Sequence, residues 1–527
     1  MTEPNTLSQC LERASGTNVG VHFGGRAGSD SDTYHSYADI YERATGVASG
    51  LRSLGIKEGD RVAVAIPTSI EFYDGFFGAV LAGAVPVSLP LPRRFGPVDD
   101  YLRSTEGMLK TCAARILLAG ERNQSLLSRA PTELGTRCVS ELRLSELRES
   151  PRASVEVSTD ALGLVQFSSG TTDAPKAVAL THAQVLANTR AILGAFLTAY
   201  PARDGFEHRG VSWLPLYHDM GLVGALLTAL SRPAPMTLMS PELFVARPAR
   251  WLHAISHYRA SVSAAPHFAY AMCLERIRDD ELDGVDLSSW RLALDGAETV
   301  TPTTLERFYE RFRHYGLREE ALTPVYGLAE AGLAVTLSPP KRRFRVTRFE
   351  GRPIVSAGEP LPGFEVKIAN EAHGSGRVLV RGPSIMSGYL GNDAATRSAL
   401  VDGWLDTGDE GFLDDGELFL TGRDRDKVVL RGGNYAPELF EEALEGVAGV
   451  RIGAVVATSI VTDGGEELVI LAESKSPEPD AVKSISAVLS ERTGFVPHRV
   501  VLLDPGELPR TSSGKLRREE AARRFLR

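Results

Sequence analysis

A stretch rich in hydroxyl side chains ends in a lysine and directly follows an apolar run typical of a β-strand. It reads Ser168-Ser169-Gly170-Thr171-Thr172-Asp173-Ala174-Pro175-Lys176. Small residues let backbone N–H groups approach a polyphosphate closely, while hydroxyls and a lysine add donors and a cation. The spacing is not that of a Walker loop, GxxxxGK[ST], because Lys176 follows a proline. Alone, the stretch fits a phosphate-binding loop and a polar surface turn equally well.

Four further polar motifs follow in order, and the last ends at Lys515. They are Tyr326-Gly327-Leu328-Ala329-Glu330, Gly403-Trp404-Leu405-Asp406-Thr407-Gly408-Asp409, Gly422-Arg423-Asp424-Arg425-Asp426 and Thr511-Ser512-Ser513-Gly514-Lys515. Together with the first loop, their order and spacing resemble the adenylate-forming superfamily of acyl-CoA synthetases, peptide-synthetase adenylation domains and luciferases. The resemblance spans essentially the whole chain.

The resemblance implies ATP and Mg²⁺ as cofactors and assigns a nucleotide site. In this family the first loop wraps the β- and γ-phosphates, an acidic residue helps hold Mg²⁺, and an aspartate binds both ribose hydroxyls. Here Glu330 matches the metal ligand, Asp409 the ribose ligand and Arg423 a nearby ribose or phosphate contact. Tyr326 would stack on the adenine. The remaining expected nucleotide contacts are Ser168, Ser169, Gly170, Thr171, Thr172, Lys176, Gly296, Ala297, Glu298 and Gly327.

Lys515 matches the family's catalytic lysine, which bridges the substrate carboxylate and the α-phosphate. Attack of one anion on another builds charge at phosphorus, and a fixed ammonium offsets that charge. His218 resembles the gate residue beside the carboxylate, and we expect it to take part in catalysis. Arg425 occupies the hinge position, where a short segment absorbs the rotation of a small domain.

Several segments resemble fatty acyl-AMP ligases, which pass the acyl group to an acyl carrier protein in lipid or polyketide biosynthesis. They are 211–222, 265–273, 287–291 and 326–331. The acyl pocket is expected to include Asp219, Met220, Gly221, Leu328 and Ala329. This branch usually carries an insertion after the YGLAE-type motif, but only 28 positions separate Glu330 from Gly358.

Three alternatives to a carrier-protein ligase therefore stay open. The first is an acyl-CoA ligase that uses free CoA, because the missing insertion is credited with blocking transfer to CoA. The second is an amino-acid-activating enzyme, whose relatives place an aspartate near position 219 to pair with the substrate ammonium. The third is a non-catalytic binding protein, against which the joint presence of Glu330, Asp409 and Lys515 argues.

A basic run between Lys341 and Arg348 has five cationic side chains in eight residues of an otherwise acidic chain. Carrier proteins are generally acidic, and opposite surface charges speed docking. The run is a candidate docking segment for a carrier protein, and a solvated basic loop is the alternative interpretation.

The elements that must position these motifs alternate between apolar runs and helix-like segments. Strands are predicted at 61–67, 114–120, 161–167, 210–215 and 291–298, and a helix is predicted between Ala183 and Leu197. This alternation favours an α/β fold with largely parallel sheets. After about residue 422 the order changes to helix, two strands, helix and strand. We therefore expect a large domain over 1–421 and a small α+β domain over 422–527 that carries Lys515.

Composition excludes several other classes. The net charge of −9 argues against a general nucleic-acid binder, which relies on clustered Lys and Arg. The four cysteines lie far apart and form no CxxC pair, so we expect reduced thiols and no metal site built on them. The most apolar stretch, near Phe76, contains three prolines and is too broken to span a bilayer. The expected protein is soluble and cytoplasmic.

Overall fold

The structure is a computed structural model of the 527-residue chain. It describes residues 3–24, 32–92, 98–130, 135–140, 146–147, 155–168, 175–202, 207–349, 351–372, 374–423, 428–430, 433–462, 465–474, 479–511 and 514–526.

The strands of the described residues are, in chain order, β1 Gly20–Phe23, β2 Thr33–Ser36, β3 Arg61–Ala65, β4 Val85–Ser88, β5 Ala114–Ala119, β6 Arg137–Ser140, β7 Leu162–Phe167, β8 Ala177–Thr181, β9 Gly210–Ser212, β10 Met236–Leu238, β11 Val262–Pro266, β12 Leu292–Gly296, β13 Leu322–Gly327, β14 Ala334–Leu337, β15 Val346–Phe349, β16 Arg352–Pro360, β17 Glu365–Ala372, β18 Ser375–Arg381, β19 Gly388–Tyr389, β20 Leu400–Val401, β21 Trp404–Asp414, β22 Glu417–Arg423, β23 Val428–Leu430, β24 Gly433–Tyr435, β25 Val450–Thr462, β26 Gly465–Ser474 and β27 Arg499–Leu503.

The α-helices of the same residues are α1 Leu7–Ser15, α2 Tyr37–Ser53, α3 Ile70–Leu81, α4 Val98–Cys112, α5 Glu121–Leu127, α6 His182–Ala199, α7 Thr228–Ser231, α8 Pro241–Ala246, α9 Ala249–His257, α10 His267–Arg276, α11 Pro302–Phe312, α12 Asp393–Ala399, α13 Pro437–Ala443, α14 Pro479–Thr493 and α15 Arg518–Phe525. Met220–Leu227 forms a π-helix, and short 3-10 turns lie at Asp279–Leu282, Arg313–Tyr315, Glu319–Ala321 and Ala329–Ala331.

Two large sheets form the body of the molecule. One has the strand order β19-β8-β7-β4-β3-β5-β6 among the described residues. The other runs β17-β18-β21-β22-β16-β14-β13-β12-β11-β9-β10-β1-β2, with β15 paired to β16 and β20 paired to β21. In the first sheet, strands β3 to β7 pair in parallel. In the second sheet, the neighbouring strands in the order β1, β10, β9, β11, β12 and β13 also pair in parallel.

The predicted α/β fold is confirmed, and each predicted strand and helix has a counterpart. The expectation of largely parallel sheets holds only for the first part of the chain. From β14 to β22 the neighbouring strands of this sheet pair antiparallel, and short hairpin connections join β15 to β16, β17 to β18 and β21 to β22.

Local sequence explains how the central elements begin and where they pack. Helix α6 starts at a capping box, in which Thr181 accepts from the backbone of Gln184 and Gln184 accepts from that of Thr181. A cluster of buried aromatic rings joins the segment that follows β9 to helices α8, α9 and α10. The rings of Trp213 and Phe244 stack with centroids 3.9 Å apart, and Trp251 meets both edge-on. This packing fixes the start of the segment that leads from β9 to His218.

The C-terminal part forms a separate small unit. Strands β25, β26 and β27 make a sheet of their own, and buried residues between Val428 and Leu489 form a core with helices α13 and α14. Lys515 lies in this unit, just before α15. The fold therefore consists of a large sheet-based domain and a smaller C-terminal domain. The precise boundary at residue 422 stays a prediction.

Candidate active site

Four of the predicted site residues follow the carboxyl ends of parallel strands, the edge at which α/β proteins bind ligands. Ser168 follows β7, His218 follows β9, Ala297 follows β12 and Glu330 follows β13. These ends meet around a cavity of about 540 Å³, which we call the central cavity.

The phosphate-loop candidates are described at their two ends. The backbone N–H of Ser168 donates to the carbonyl oxygen of Lys176 at 2.9 Å, which closes the loop at its base. Both residues line the central cavity. Ser169, Gly170, Thr171 and Thr172 lie outside the described residues.

Glu330 and Lys176 meet a residue that the sequence did not indicate. The hydroxyl of Tyr389 donates to Oε1 of Glu330 at 2.8 Å, and the ammonium of Lys176 lies 4.7 Å from the centroid of the Tyr389 ring. All three line the central cavity. No sequence signal pointed to Tyr389, because its partners are 59 and 213 positions away along the chain.

The predicted ribose ligand is buried and held by two neighbours. Asp409 is 5% exposed, and its Oδ2 accepts a hydrogen bond from the hydroxyl of Tyr326 at 2.6 Å. Its backbone N–H donates to the hydroxyl of Thr407 at 3.1 Å. Arg423 is the cross-strand partner of Asp409 between β21 and β22, as their predicted joint role requires, and the structure does not describe its side chain.

The three residues of the segment expected beside the adenine, Gly296, Ala297 and Glu298, have different environments in the structure. Ala297 lines the central cavity in a left-handed conformation, with φ at 66°. Gly296 does not line it: a Cβ there would lie 2.6 Å from the carbonyl oxygen of Val325, so this glycine allows β12 and β13 to approach closely. Glu298 accepts a hydrogen bond from the backbone of Phe268 at 3.0 Å and so anchors the start of α10. Gly327 lines the cavity.

Lys515 reaches the same cavity from the C-terminal domain. Two hydrogen bonds link Lys515 to Thr511: the backbone of Thr511 donates to the carbonyl of Lys515 at 2.7 Å, and the backbone of Lys515 donates to the Thr511 hydroxyl at 3.1 Å. The described structure therefore places the predicted catalytic lysine beside the predicted phosphate and carboxylate contacts.

His218 and Asp219 form a close pair on the cavity wall. Nδ1 of His218 lies 2.6 Å from Oδ1 of Asp219, which also accepts from the backbone of Met220 at 2.8 Å. Burial raises the pKa of Asp219, but His218, Lys515 and the Met220 N–H outweigh burial and lower the pKa overall. Asp219 is therefore an ionised carboxylate. Its negative charge holds the imidazole of His218 in place and interacts with the ammonium of Lys515.

The opposite end of the cavity is apolar. Ile192, Phe196, Met220, Leu333 and Leu337 line it, with Leu328 and Ala329 nearer the polar end. Met220 begins the π-helix, whose wider turns often occur at functional sites. The sequence of this segment, Met-Gly-Leu-Val-Gly-Ala-Leu-Leu, gives no sign of a π-helix. Gly221 does not line the cavity, because a Cβ there would lie 2.2 Å from the carbonyl oxygen of Pro215 and the residue is a packing position.

A second cavity of about 280 Å³ lies between the two domains and shares Tyr326, Gly327 and Lys515 with the first, and Asp409 lines this second cavity. Arg352 of the large domain pairs with Glu442 of α13 at 3.1 Å. Burial raises the pKa of Glu442 to about 8, although Arg352 opposes this rise. The two domains thus meet in this position through a largely buried contact between the Arg352 guanidinium and the Glu442 carboxyl group.

The basic run between Lys341 and Arg348 is not an unpaired positive patch. Arg342 contacts Glu359 and Glu417, Arg343 contacts Glu306 and Glu319, and Arg345 contacts Asp414 and Glu417. Since these carboxylates belong to the same chain, they neutralise the charge on which the docking hypothesis depended. The solvated-loop interpretation fits the structure better.

Magnesium is compatible with the residues present only if the nucleotide shares its coordination. Among the described residues no group of three or more His, Cys, Asp or Glu side chains could hold a metal ion. Glu330 offers one carboxylate at the polar end of the cavity. Mg²⁺ commonly binds through one or two carboxylates together with substrate phosphates, so a single glutamate fits this ion.

Phosphate-loop candidates, the predicted catalytic lysine and apolar side chains line one cavity, and the predicted ribose ligand lies in the adjoining one, which is the arrangement expected of an adenylate-forming ligase. The chain belongs to the family of AMP-binding enzymes, whose sequence profile matches residues 17–390. Enzymes of this class use ATP. Among the described helices, none has the length and apolar character needed to cross a membrane.

Similar proteins cover nearly the full chain. A protein of Caulobacter vibrioides named as a candidate acyl-CoA synthetase is 32% identical, over 99% of this chain and 95% of its own. The medium-chain-fatty-acid–[acyl-carrier-protein] ligase JamA of Moorena producens is 31% identical, over 93% of this chain and 90% of its own. A solved structure from studies of fatty acyl-adenylate ligases of E. coli and L. pneumophila has a TM-score of 0.88 and 32% identity, covering 99% of this chain and 97% of that one. The predicted family is confirmed.

Proposed function

We propose that this protein joins a fatty acid to AMP and then transfers the acyl group to the phosphopantetheine thiol of an acyl carrier protein. The observation that carries the proposal is the central cavity, which is continuous from Lys176 and Glu330 to Phe196 and Leu337. Such a cavity lets a nucleotide and an acyl chain meet end to end. Lys515 and His218 line the same cavity, which supports a role for both in the reaction.

In the first step, a carboxylate oxygen of the acid attacks the α-phosphorus of ATP and pyrophosphate leaves. The ammonium of Lys515 offsets the repulsion between the two anions and the charge that develops at phosphorus. Ser168 and Lys176 bind the departing phosphates, and Asp409 holds the ribose. Glu330 would hold Mg²⁺, which neutralises phosphate charge when it is bound.

In the second step, the thiol attacks the carbonyl carbon of the acyl-adenylate, the bond to AMP breaks, and AMP leaves with the carboxylate oxygen. We propose that the domain over 422–527 first rotates about a hinge at Arg425, which lies outside the described residues. This rotation would withdraw Lys515 and admit the thiol. The 280 Å³ cavity between the domains supports the proposal, because residues of both domains line it and Lys515 is among them.

Fatty acids are favoured over amino acids by the state of Asp219. Its carboxylate already contacts His218 and accepts from the Met220 N–H, and the positive charge of Lys515 lowers its pKa. A substrate ammonium would have to compete with all three groups. The apolar end stabilises an alkyl chain by about 0.8 kcal/mol per buried CH₂.

The acceptor separates the two leading candidates. Similarity to JamA favours a carrier protein, while similarity to the candidate acyl-CoA synthetase and the short connection from β14 to β15 favour CoA as the second candidate. The test supplies the enzyme with ATP, Mg²⁺ and a fatty acid, together with holo-carrier protein, apo-carrier protein or CoA. Mass spectrometry should detect an acyl thioester on the holo-carrier and none on the apo-carrier. Faster thioester formation with CoA would move the protein to the acyl-CoA ligases.

A further inference from the structure

Tyr389 lies in a two-residue strand whose backbone joins two parts of the site. Tyr389 pairs with Val178 in β8, two positions after Lys176, and the N–H of Leu390 donates to the carbonyl of Ala177 at 2.8 Å. The N–H of Met386 donates to the carbonyl of Glu330, also at 2.8 Å. The same short segment is therefore fixed to the end of the phosphate loop and to the predicted metal ligand.

The side chain of Tyr389 contacts both of these charged residues. It is 7% exposed. Its hydroxyl donates to Oε1 of Glu330 at 2.8 Å, and its ring lies 4.7 Å from the ammonium of Lys176. A phenol can do both at once, because its face attracts a cation while its O–H donates in the ring plane.

The two contacts of Tyr389 keep the opposite charges of Lys176 and Glu330 separately supported within one cavity. A lysine and a glutamate that face the same space attract each other, and a direct ion pair would occupy the groups needed for phosphate and metal. Tyr389 gives each charge a neutral partner, so neither depends on the other for its position. Its hydroxyl donates to one of the two carboxylate oxygens of Glu330, so this hydrogen bond does not use the second oxygen.

We propose that Tyr389 is a positioning residue for the metal–polyphosphate group of ATP: its hydroxyl orients Glu330 toward Mg²⁺, and its ring orients Lys176 toward the phosphates. The inference rests on the proposed function, since it needs ATP in the central cavity. It assigns separate effects to the two halves of one side chain. Removing the hydroxyl affects only binding that depends on Mg²⁺, whereas removing the ring also affects binding without the metal.

The test compares Tyr389→Phe, which keeps the ring, with Tyr389→Leu, which loses both contacts. The matched control is Tyr37→Phe, because the Tyr37 hydroxyl is also buried and donates to a backbone carbonyl, that of Ala234 at 3.2 Å, away from the cavity. Isothermal calorimetry measures the affinity for ATP with Mg²⁺ and, separately, with EDTA. Thermal unfolding without nucleotide measures the effect of each change on the fold.

Tyr389→Phe should weaken ATP binding in Mg²⁺ by about tenfold, as expected for a hydrogen bond to a charged group, and leave the affinity in EDTA unchanged. Tyr389→Leu should weaken binding in EDTA as well, by roughly two- to fivefold, as expected for loss of a cation–π contact. Tyr37→Phe should change neither affinity.

Unchanged Mg²⁺–ATP affinity in Tyr389→Phe would overturn the proposal. Equal losses with and without Mg²⁺ in that variant would also overturn it, because they would mean a purely structural role. If Tyr389→Leu does not fold, Tyr389→Phe decides the question alone. Failure of the wild-type protein to bind ATP would instead refute the proposed function itself.

Discussion

Replacing Asp409 by alanine should separate nucleotide binding from recognition of the acid. Asp409 is buried beside Tyr326 and is proposed to accept hydrogen bonds from both ribose hydroxyls. Alanine removes the carboxylate and leaves the apolar end of the central cavity untouched. The affinity for ATP should therefore fall strongly, while the apparent affinity for the fatty acid should change little.

The magnitude follows from the bonds that are lost. Hydrogen bonds to a charged group contribute about 1.5–3 kcal/mol each, so two of them correspond to roughly 10²–10⁴ in ATP affinity. Tyr326→Phe removes only the 2.6 Å bond that orients the carboxylate, and its cost should be at most about tenfold. Because this bond needs both partners, Tyr326→Phe should add nothing further in the Asp409→Ala background.

The assay is calorimetric titration with ATP of the wild type, the two single variants and the double variant, followed by steady-state kinetics in both substrates. An unaltered ATP affinity in Asp409→Ala would place this residue outside the nucleotide site. Additive losses in the double variant would show that the Tyr326 hydroxyl contributes to ATP binding independently of Asp409.

Three further predictions concern the domains and the surface. Lys515→Ala should slow adenylation by about 10²–10³ or more and largely spare thioester formation from supplied acyl-adenylate, and equal losses in both half-reactions would contradict domain rotation. Glu442→Gln should flatten the pH dependence of stability. In the wild type, the pKa of Glu442 is raised to about 8, so the stability that this carboxyl group contributes is fully present below its usual pKa and is lost as the pH rises toward 8. Over that interval the melting temperature of the wild type should therefore fall more steeply than that of the variant. Reversing Arg342, Arg343 and Arg345 to Glu should lower the unfolding free energy by at least about 3–5 kcal/mol, because Glu417 is 2% exposed and would lose its cationic partners. Undiminished stability together with slower loading of the carrier protein would instead restore the docking hypothesis.

The sequence indicated the elements well, because their signals are local. Alternating apolar runs predicted β3, β5, β7, β9 and β12, and the C-terminal order of helix and strand is observed as expected. Several residues of the ordered motifs line the central cavity, among them Lys176, Glu330 and Lys515.

What the sequence missed depends on contacts between distant segments. The role of Tyr389 arises from pairing of β19 with β8, and the neutral surface of the basic run arises from carboxylates up to 75 positions away. Gly221 and Gly296 were expected to line the site, but they are glycines because neighbouring backbone approaches them closely. Such crowding depends on tertiary packing and leaves no local pattern.

ATP–pyrophosphate exchange, measured without any thiol acceptor, tests the central claim most directly. Exchange should depend on an added fatty acid, should rise with chain length until the apolar end of the 540 Å³ cavity is filled, and should be nearly lost in Lys515→Ala. If ATP binds but no fatty acid supports exchange, the protein does not form fatty acyl-adenylates. Exchange with amino acids alone would identify Asp219 as an ammonium ligand and contradict the assignment of the substrate.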